Sequence, residues 1–368
     1  MISNRAMQWL RLAMVRGVGP LLGRKLIQSL GSIDAVWQQS ESSLRQLPGI
    51  GPQLIAALTQ SRAEHIADVI ELCETQQIAL LCPEDDQWPA LLSPLDDVPL
   101  VLFVQGDVSS LNGEQTLAVI GARKASREGC VITRRWCHYL SDHHISIVSG
   151  MAYGIDAAAH RGALQGCSPT IAVLGCGLAA LTELQTQQVQ AVAAQGCVVS
   201  EFLPLTTARP ENFPRRNRII AGLSHATLVM EADVRSGSLI TAKQALEYGR
   251  ELLAVPGSVL GDNHAGCHQL IRDGSLLIAQ PDDILSAMSW QSGSATSKHR
   301  KSYHAADADE SKILQALAIE NMHLDHLAES SGLTVPELSP ILLRLELQGV
   351  IERLPGSRYL LSVELDQT

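Results

Sequence analysis

The sequence predicts an α/β protein: a doubly wound parallel sheet, preceded by a helical domain and followed by a winged helix. Three observations predict it. From Gln115 to residue 288, short apolar runs alternate with helical patterns, the rhythm of strand–helix–strand units. Residues 1–70 show helical spacing only, broken by two glycine-rich turns. Residues 310–360 give three helical patterns, Ile313–Ala318, Leu324–Ser330 and Pro336–Gln348, and then a small hairpin. The expected organisation is a helical domain over 1–70, a connector over 71–114 and an α/β core over 115–288. A linker over 289–309 and a winged helix over 310–368 follow.

Composition narrows the function. The 368 residues hold 28 basic and 38 acidic side chains, a net charge of −10. A nucleic-acid site must therefore be a local patch, not a whole-molecule field. Aromatics make up 4% of the chain, with three Phe. That disfavours a broad base-stacking sheet and favours contacts to backbone phosphates. The eight cysteines (73, 82, 130, 137, 167, 176, 197 and 267) form no CxxC and lie at no metal-ligand spacing with histidine. They are expected to be reduced, mostly buried thiols of a cytoplasmic protein, with no metal and no cofactor. HExxH and GxSxG are absent. The first residues, MISNRAMQWLRLAMVRG, have too short an apolar core for a secretory signal, and an arginine lies within it. No segment approaches the roughly 20 apolar residues that a membrane span needs.

The amino-terminal turns are alike. Arg16-Gly17-Val18-Gly19-Pro20 and Leu47-Pro48-Gly49-Ile50-Gly51-Pro52 each precede a helical run. Glycine at both positions lets a backbone phosphate approach a helix N-terminus, as in a helix-hairpin-helix or SAM-like domain. The same glycines would equally serve a plain helical bundle. Only Arg24 and Lys25 lie near the first turn, so DNA affinity there is expected to be weak at most. In the connector, Pro83, Pro89, Pro94 and Pro99 exclude a long helix, and Leu100–Val104 reads as a short edge strand.

The expected core strands are Leu117–Ile120, Ile145–Val148, Thr170–Leu174, Cys197–Ser200, Ala226–Met230, Glu251–Val255 and Ser275–Ile278. Ligands on such sheets sit outside the carboxyl ends of the strands. Four of those ends carry small or polar loops: residues 121–126, 149–156, 175–177 and 236–238. All four are expected to converge on one crevice. None is a GxGxxG fingerprint or a GxxxxGK[ST] loop. In the first loop, Gly121 permits close approach and Arg123 can pair with a phosphate, or can be a solvated surface charge. Ser126 can cap the next helix or donate to the same anion.

The stretch around which these loops gather is 212–250, NFPRRNRIIAGLSHATLVMEADVRSGSLITAKQALEYGR. It opens with Arg215, Arg216 and Arg218 and no acid among them, and it contains the turn Ser236-Gly237-Ser238 directly before a helix. A helix N-terminus after a small-residue turn offers free backbone N–H groups to an anion. Basic side chains beside such a cradle read as a nucleic-acid or nucleotide surface. Asp156 and His160, four apart on one helix face, read as a structural polar pair or a brace for the crevice loops. They would need a nucleophile or metal to be catalytic, and the sequence offers neither. In the winged helix the third helix carries Glu337, Arg344 and Glu346, too few donors to read bases, so a protein contact or a structural role is expected there.

Four runs together resemble the DprA/Smf family of bacterial DNA-processing proteins. They are Ser149-Gly150-x-Ala152-x-Gly154-Ile155-Asp156-x-x-Ala159-His160, Phe213-Pro214-x-Arg216-Asn217-Arg218-Ile219-Ile220-Ala221-Gly222-Leu223-Ser224, Ser236-Gly237-Ser238-Leu239-Ile240-Thr241-Ala242, and Ala254-Val255-Pro256-Gly257. The similarity spans nearly the whole chain, and Gly121-Ala122-Arg123 is similar to the family's Gly-Ser-Arg. The resemblance implies an extended Rossmann-like core and binding of single-stranded DNA without sequence preference. It further implies protection of incoming DNA in natural transformation, loading of the RecA recombinase, dimers formed through the Rossmann core, and no established catalytic turnover. Carried onto this chain, Arg123, Ser126, Gly150, Arg216, Asn217 and Arg218 would line the strand-binding pocket, with Phe213 as a stacking face. One departure stands out. After Gly175-Cys176-Gly177 the family's acid, aromatic-proline pair and basic or polar residue are replaced by Leu178-Ala179-Ala180-Leu181-Thr182-Glu183-Leu184-Gln185-Thr186. Loss of that wall predicts weaker single-strand affinity, which grafting Tyr-Pro and Lys would restore.

The competing class is a nucleotide-processing Rossmann enzyme of nucleoside-phosphate-hydrolase type, with Asp156, Glu231 or Asp233 as its carboxylate. A mononucleotide site needs one or two phosphate bases, whereas a polymer track needs several, so the arginine cluster favours the binding protein. A transcription regulator would rest on the winged helix alone.

Overall fold

A computed structural model describes residues 2–290, 303–319, 321–354 and 356–361. The chain forms two compact units, Met1–Gly293 and Ser294–Thr368. Most of the expected linker and Pro355 of the expected hairpin lie outside the described residues.

The first unit opens with helices α1 (Asn4–Ala13), α2 (Pro20–Leu30), α3 (Ile33–Gln38), α4 (Glu41–Leu44), α5 (Pro52–Gln60) and α6 (Ala67–Thr75). The two similar turns adopt the same local form. Gly17 (φ 92°) and Gly49 (φ 86°) take left-handed backbone that L side chains rarely adopt. Gly19 and Gly51 then cap α2 and α5, with Pro20 and Pro52 in the first turn, where the missing N–H costs nothing. Trp9, Leu10 and Leu26 share one apolar cluster with Phe103, Ala172 and Val198 of the sheet, so the amino-terminal helices cover one end of a sheet face.

The sheet comprises β1 (Ala79–Leu81), β2 (Leu102–Gly106), β3 (Thr116–Ile120), β4 (Ser146–Ser149), β5 (Thr170–Val173), β6 (Cys197–Ser200), β7 (Ala226–Val229), β8 (Glu251–Ala254) and β9 (Leu276–Leu277). Its order is β1-β2-β6-β5-β4-β3-β7-β8-β9. The strands from β6 to β9 pair in parallel, and β2 and β1 extend one edge antiparallel. The stretch expected as a connector, 71–114, carries both β1 and β2. Its prolines exclude a long helix, but its ends supply two strands, and Trp88, Leu92, Leu95 and Val98 between them are buried.

Helices α7 (Arg127–Asp142), α8 (Ile155–Ala163), α9 (Glu183–Gln195), α10 (Asn212–Gly222), α11 (Ser238–Glu247), α12 (Ala265–Arg272) and α13 (Pro281–Ala287) cover the sheet. Every residue of β3 is buried, as a central strand with helices on both faces requires. Its alternation still sorts the core: Leu117 and Val119 pack with Leu140 and Ile155, whereas Ala118 and Ile120 pack with Ile219 and Ala242. Winding runs one way from β3 through β4, β5 and β6 and the other way through β7 and β8, so the switch point lies between β3 and β7.

The second unit contains α14 (Ala308–Ile319), β10 (Met322–His323), α15 (Leu324–Ser331), α16 (Val335–Leu347), β11 (Ile351–Leu354) and β12 (Arg358–Leu361). Its three strands pair antiparallel in the order β10-β12-β11, and Leu327, Leu338, Leu342 and Tyr359 lie in its core. This is the winged helix. Arg344 on α16 bonds Glu310 (3.3 Å) and lies 3.6 Å from Asp307, so it is engaged within the unit.

Candidate nucleic-acid interface

Three of the four predicted loops meet at the carboxyl ends of β3, β4 and β5. A Cβ on Gly121 would lie 2.6 Å from Ile155 Cγ1, and one on Gly154 would lie 2.2 Å from the Ala122 carbonyl oxygen. Gly154 also has φ 79°, so both sterics and dihedral demand glycine there. A Cβ on Gly150 would meet Asp156 Oδ2 at 2.6 Å and Arg216 Cζ at 2.7 Å, and one on Gly175 would lie 3.1 Å from the Phe213 ring. These glycines let the loops press against one another and against α10. The fourth loop stands apart in its contacts. A Cβ on Gly237 would meet no atom within 4 Å, while Ser236 Oγ and Ser238 Oγ bond each other at 2.7 Å to close the turn before α11.

The arginine cluster divides by burial. Arg215, Arg216 and Arg218 lie on α10, and Arg216 and Arg218 are only 3% and 7% exposed. Arg216 donates to the carbonyls of Gly150 (2.5 Å) and Val173, and its Nε donates to Asn217 Oδ1 (3.1 Å). It clamps the ends of β4 and β5 together. Burial lowers its pKa to about 10, against the pull of Asp156, so it stays charged at neutral pH. Arg218 pairs with the Glu201 carboxylate and donates to the Asp97 carbonyl (2.5 Å). Asp97 in turn accepts from Tyr248 Oη at 2.7 Å, which straps the 88–98 segment over α10 and α11. Burial pushes the Glu201 carboxyl up, and Arg218 and Arg215 oppose it. Both guanidiniums, expected in the pocket lining, are buried and committed to protein acceptors. Asn217 is half-buried and serves Arg216.

Two guanidiniums remain at the surface. Arg123 is exposed and stacks over Phe213, 4.6 Å from the ring centroid. Arg215 is exposed and stacks over Phe202 at 5.0 Å, with Glu201 Oε1 3.9 Å away. An arginine held on an aromatic face keeps its fork pre-organised for a phosphate.

Ser126 is not free for a ligand. Its hydroxyl accepts from Gly129 N (2.8 Å) as the cap of α7 and donates to Glu231, whose other oxygen accepts from Ser126 N at 2.8 Å. Glu231, 1% exposed, thus supplies the anion expected at this helix start, and it sits at the switch point of the sheet.

Asp156 and His160 are both buried on α8, with separate partners. Asp156 Oδ2 accepts from Ala152 N (3.4 Å) and bonds the Gly150 amide, so it braces the β4–α8 loop. Burial raises its pKa while Arg216 counters. His160 Nδ1 donates to Thr170 Oγ1 (2.8 Å), which donates onward to the Ile147 carbonyl (3.0 Å). Burial and then Arg216 lower its pKa to about 4, leaving the ring neutral. With Asp156 and Glu231 engaged this way, two of the three candidates for the single carboxylate of a nucleotide-processing enzyme already serve the fold. Among the described residues, no group of three or more His, Cys, Asp or Glu side chains could hold a metal ion, and no helix is long and apolar enough to cross a membrane. The eight cysteines are free thiols, six of them buried.

The sequence reading missed Glu201, Phe202 and the capping role of Glu231. An acid directly after the buried strand Cys197–Ser200, as Glu201 is, was the signal for an internal partner of an arginine.

Comparison with known proteins agrees with this geometry. The family model described as DNA recombination-mediator protein A matches residues 79–289, starting at β1, and the DprA winged helix domain matches residues 297–357. Protein Smf of Escherichia coli is 38% identical over 284 residues, 75% of this chain and 76% of its own length. Protein Smf of Synechocystis is 31% identical over 98% of this chain and 99% of its own. The solved DNA processing protein A of Streptococcus pneumoniae superposes with a TM-score of 0.66 at 32% identity, covering 78% of this chain and 98% of that one. That of Helicobacter pylori, described for its single-stranded DNA binding mode, gives 0.52 at 26% identity over 58% of this chain and 96% of that one. This chain belongs to the DNA recombination-mediator protein A family, the DprA/Smf proteins.

Proposed function

We propose that this chain binds single-stranded DNA, without sequence preference, in the crevice at the carboxyl ends of β3, β4 and β5. The observation that carries the reading is Arg123, exposed at the crevice and stacked over Phe213 at 4.6 Å. Arg215 on Phe202 supplies a second held charge from α10. Guanidiniums mounted this way meet phosphates, which carry no sequence information. Gly121, Gly150 and Gly154 let the loops come close, and Gly237, which meets no atom within 4 Å, stands with Ser238 at the start of α11. Asn217, Arg216 and Arg218 act from behind by holding α10 against the sheet. The −10 net charge confines binding to this patch.

Family membership supports the rest of the proposal: a cytoplasmic recombination mediator that protects incoming DNA during transformation and loads RecA. Two copies associate through the Rossmann core, with no cofactor and no turnover of the DNA. Anisotropy with labelled single- and double-stranded 20-mers tests the binding. A single-strand preference, followed by faster RecA filament growth on the bound strand, supports the proposal. Equal binding of both forms, or of neither, contradicts it.

A further inference from the structure

We propose that Tyr153 is the base-stacking residue of this crevice. The inference rests on the single-strand reading above. The chain has five Trp, five Tyr and three Phe, all among the described residues. Tyr153 alone of these is exposed, at 79%. A large ring held in water is unusual in a chain that buries or half-buries the rest, and rings are what single-strand sites use to hold bases.

Its position is fixed by the crevice itself. Tyr153 directly precedes Gly154, whose Cα packs against the Ala122 and Arg123 carbonyls, and Ile155 N donates to the Ala122 carbonyl at 3.3 Å. The ring therefore projects from the loop that touches the Arg123 loop. That loop is braced from within by Asp156, and it holds Met151 at φ 53° and Gly154 at φ 79°, so the mount is set before a ligand arrives.

Phe213, the aromatic that the sequence points to, is half-buried and already carries a guanidinium. Arg123 lies over its ring at 4.6 Å, Arg216 lies 5.8 Å from the same centroid, and Gly175 backs against its edge. Phe213 orients guanidiniums, and Tyr153 is the ring left open to a nucleobase. The division of labour is thus a phosphate on Arg123 and a base on Tyr153.

The test compares wild type, Tyr153→Ala and Tyr153→Phe as full chains. The probes are fluorescein-labelled dT20 and an oligonucleotide of equal length whose central residues are abasic, which keeps the phosphates and removes the bases. Tyr153→Ala should weaken dT20 binding about 5- to 150-fold, the range for one lost stacked base. The log–log salt slope should not change, because no charge is removed. Tyr153→Phe should bind like wild type, and on the abasic strand all three proteins should be alike. Thermal melting should also be alike, since the ring is exposed. If wild type binds dT20 and Tyr153→Ala binds it equally well, the inference is overturned. An equal loss on dT20 and on the abasic strand overturns it as well, because the effect would not concern bases. If wild type binds no single strand, the crevice reading fails first, which that control alone reveals.

Discussion

Glu231 accepts hydrogen bonds from both the backbone N–H and the hydroxyl of Ser126, and so places its own carboxylate at the start of α7. Backbone donors at a helix N-terminus attract an anion, and here the chain provides one from the adjacent strand end. The switch point between β3 and β7 is thereby closed as an anion site. Ligand contacts are left to the β4 and β5 side, where Arg123 and Phe213 lie.

Removing that carboxylate should therefore harm folding before it harms binding. Glu231→Ala should lose about 1–3 kcal/mol, the cost of leaving buried donors unpaired. Because the defect is a missing anion, formate or acetate should partly restore the melting temperature of the variant and leave wild type unmoved. Differential scanning fluorimetry across a formate series checks this.

Arg218 is the buried partner of a buried acid. Arg218→Met should cost about 3–5 kcal/mol by stranding Glu201, and Arg218→Met/Glu201→Gln should recover most of that loss. The sign with pH follows from Glu201, whose carboxyl burial already pushes up. Without Arg218 it rises further, so its neutral form is tolerated at low pH and its charged form is penalised as pH rises. The deficit relative to wild type should be larger at pH 8 than at pH 5 in urea unfolding.

His160 works in the opposite direction. Its folded pKa, about 4 against 6.5 for the free side chain, means that the unfolded chain binds the proton more readily. Its contribution is complete above pH 6.5 and is lost as pH falls towards 4, on the order of 3 kcal/mol at 1.36 kcal/mol per pH unit. The stability difference between wild type and His160→Gln should fall over that window. A difference that does not change with pH would place the neutral ring elsewhere.

Much of this architecture was legible in the sequence, because strands buried on both faces read as short apolar runs. All seven expected core strands form, and so does a strand near Leu100–Val104, although it lies between β1 and β6 and β1 takes the edge. β1 was not legible, because three residues, Ala79–Leu81, are too few to show a period and Pro83 follows closely. The site was legible in residue type but not in direction. Arg215, Arg216 and Arg218 were read as one patch, yet on α10 they fall at helical positions 100° and then 200° apart. Three consecutive-looking charges thus point three ways: to solvent, into the loop ends, and into the Glu201 pair. Pairings over long separations, such as Ser126 with Glu231 and Arg218 with Asp97, leave no local pattern.

The most direct measurement is the salt dependence of single-strand binding in wild type, Arg123→Ala/Arg215→Ala and Arg218→Met/Glu201→Gln. Each phosphate contact on a single strand adds about −0.7 to the log–log slope. The surface pair should carry two such contacts, so Arg123→Ala/Arg215→Ala should flatten the slope by about 1.4. The buried-pair variant should keep the wild-type slope. A surface double variant that keeps the full slope, or a buried-pair variant that loses it while still folded, would contradict the assignment of phosphate contact to the exposed arginines.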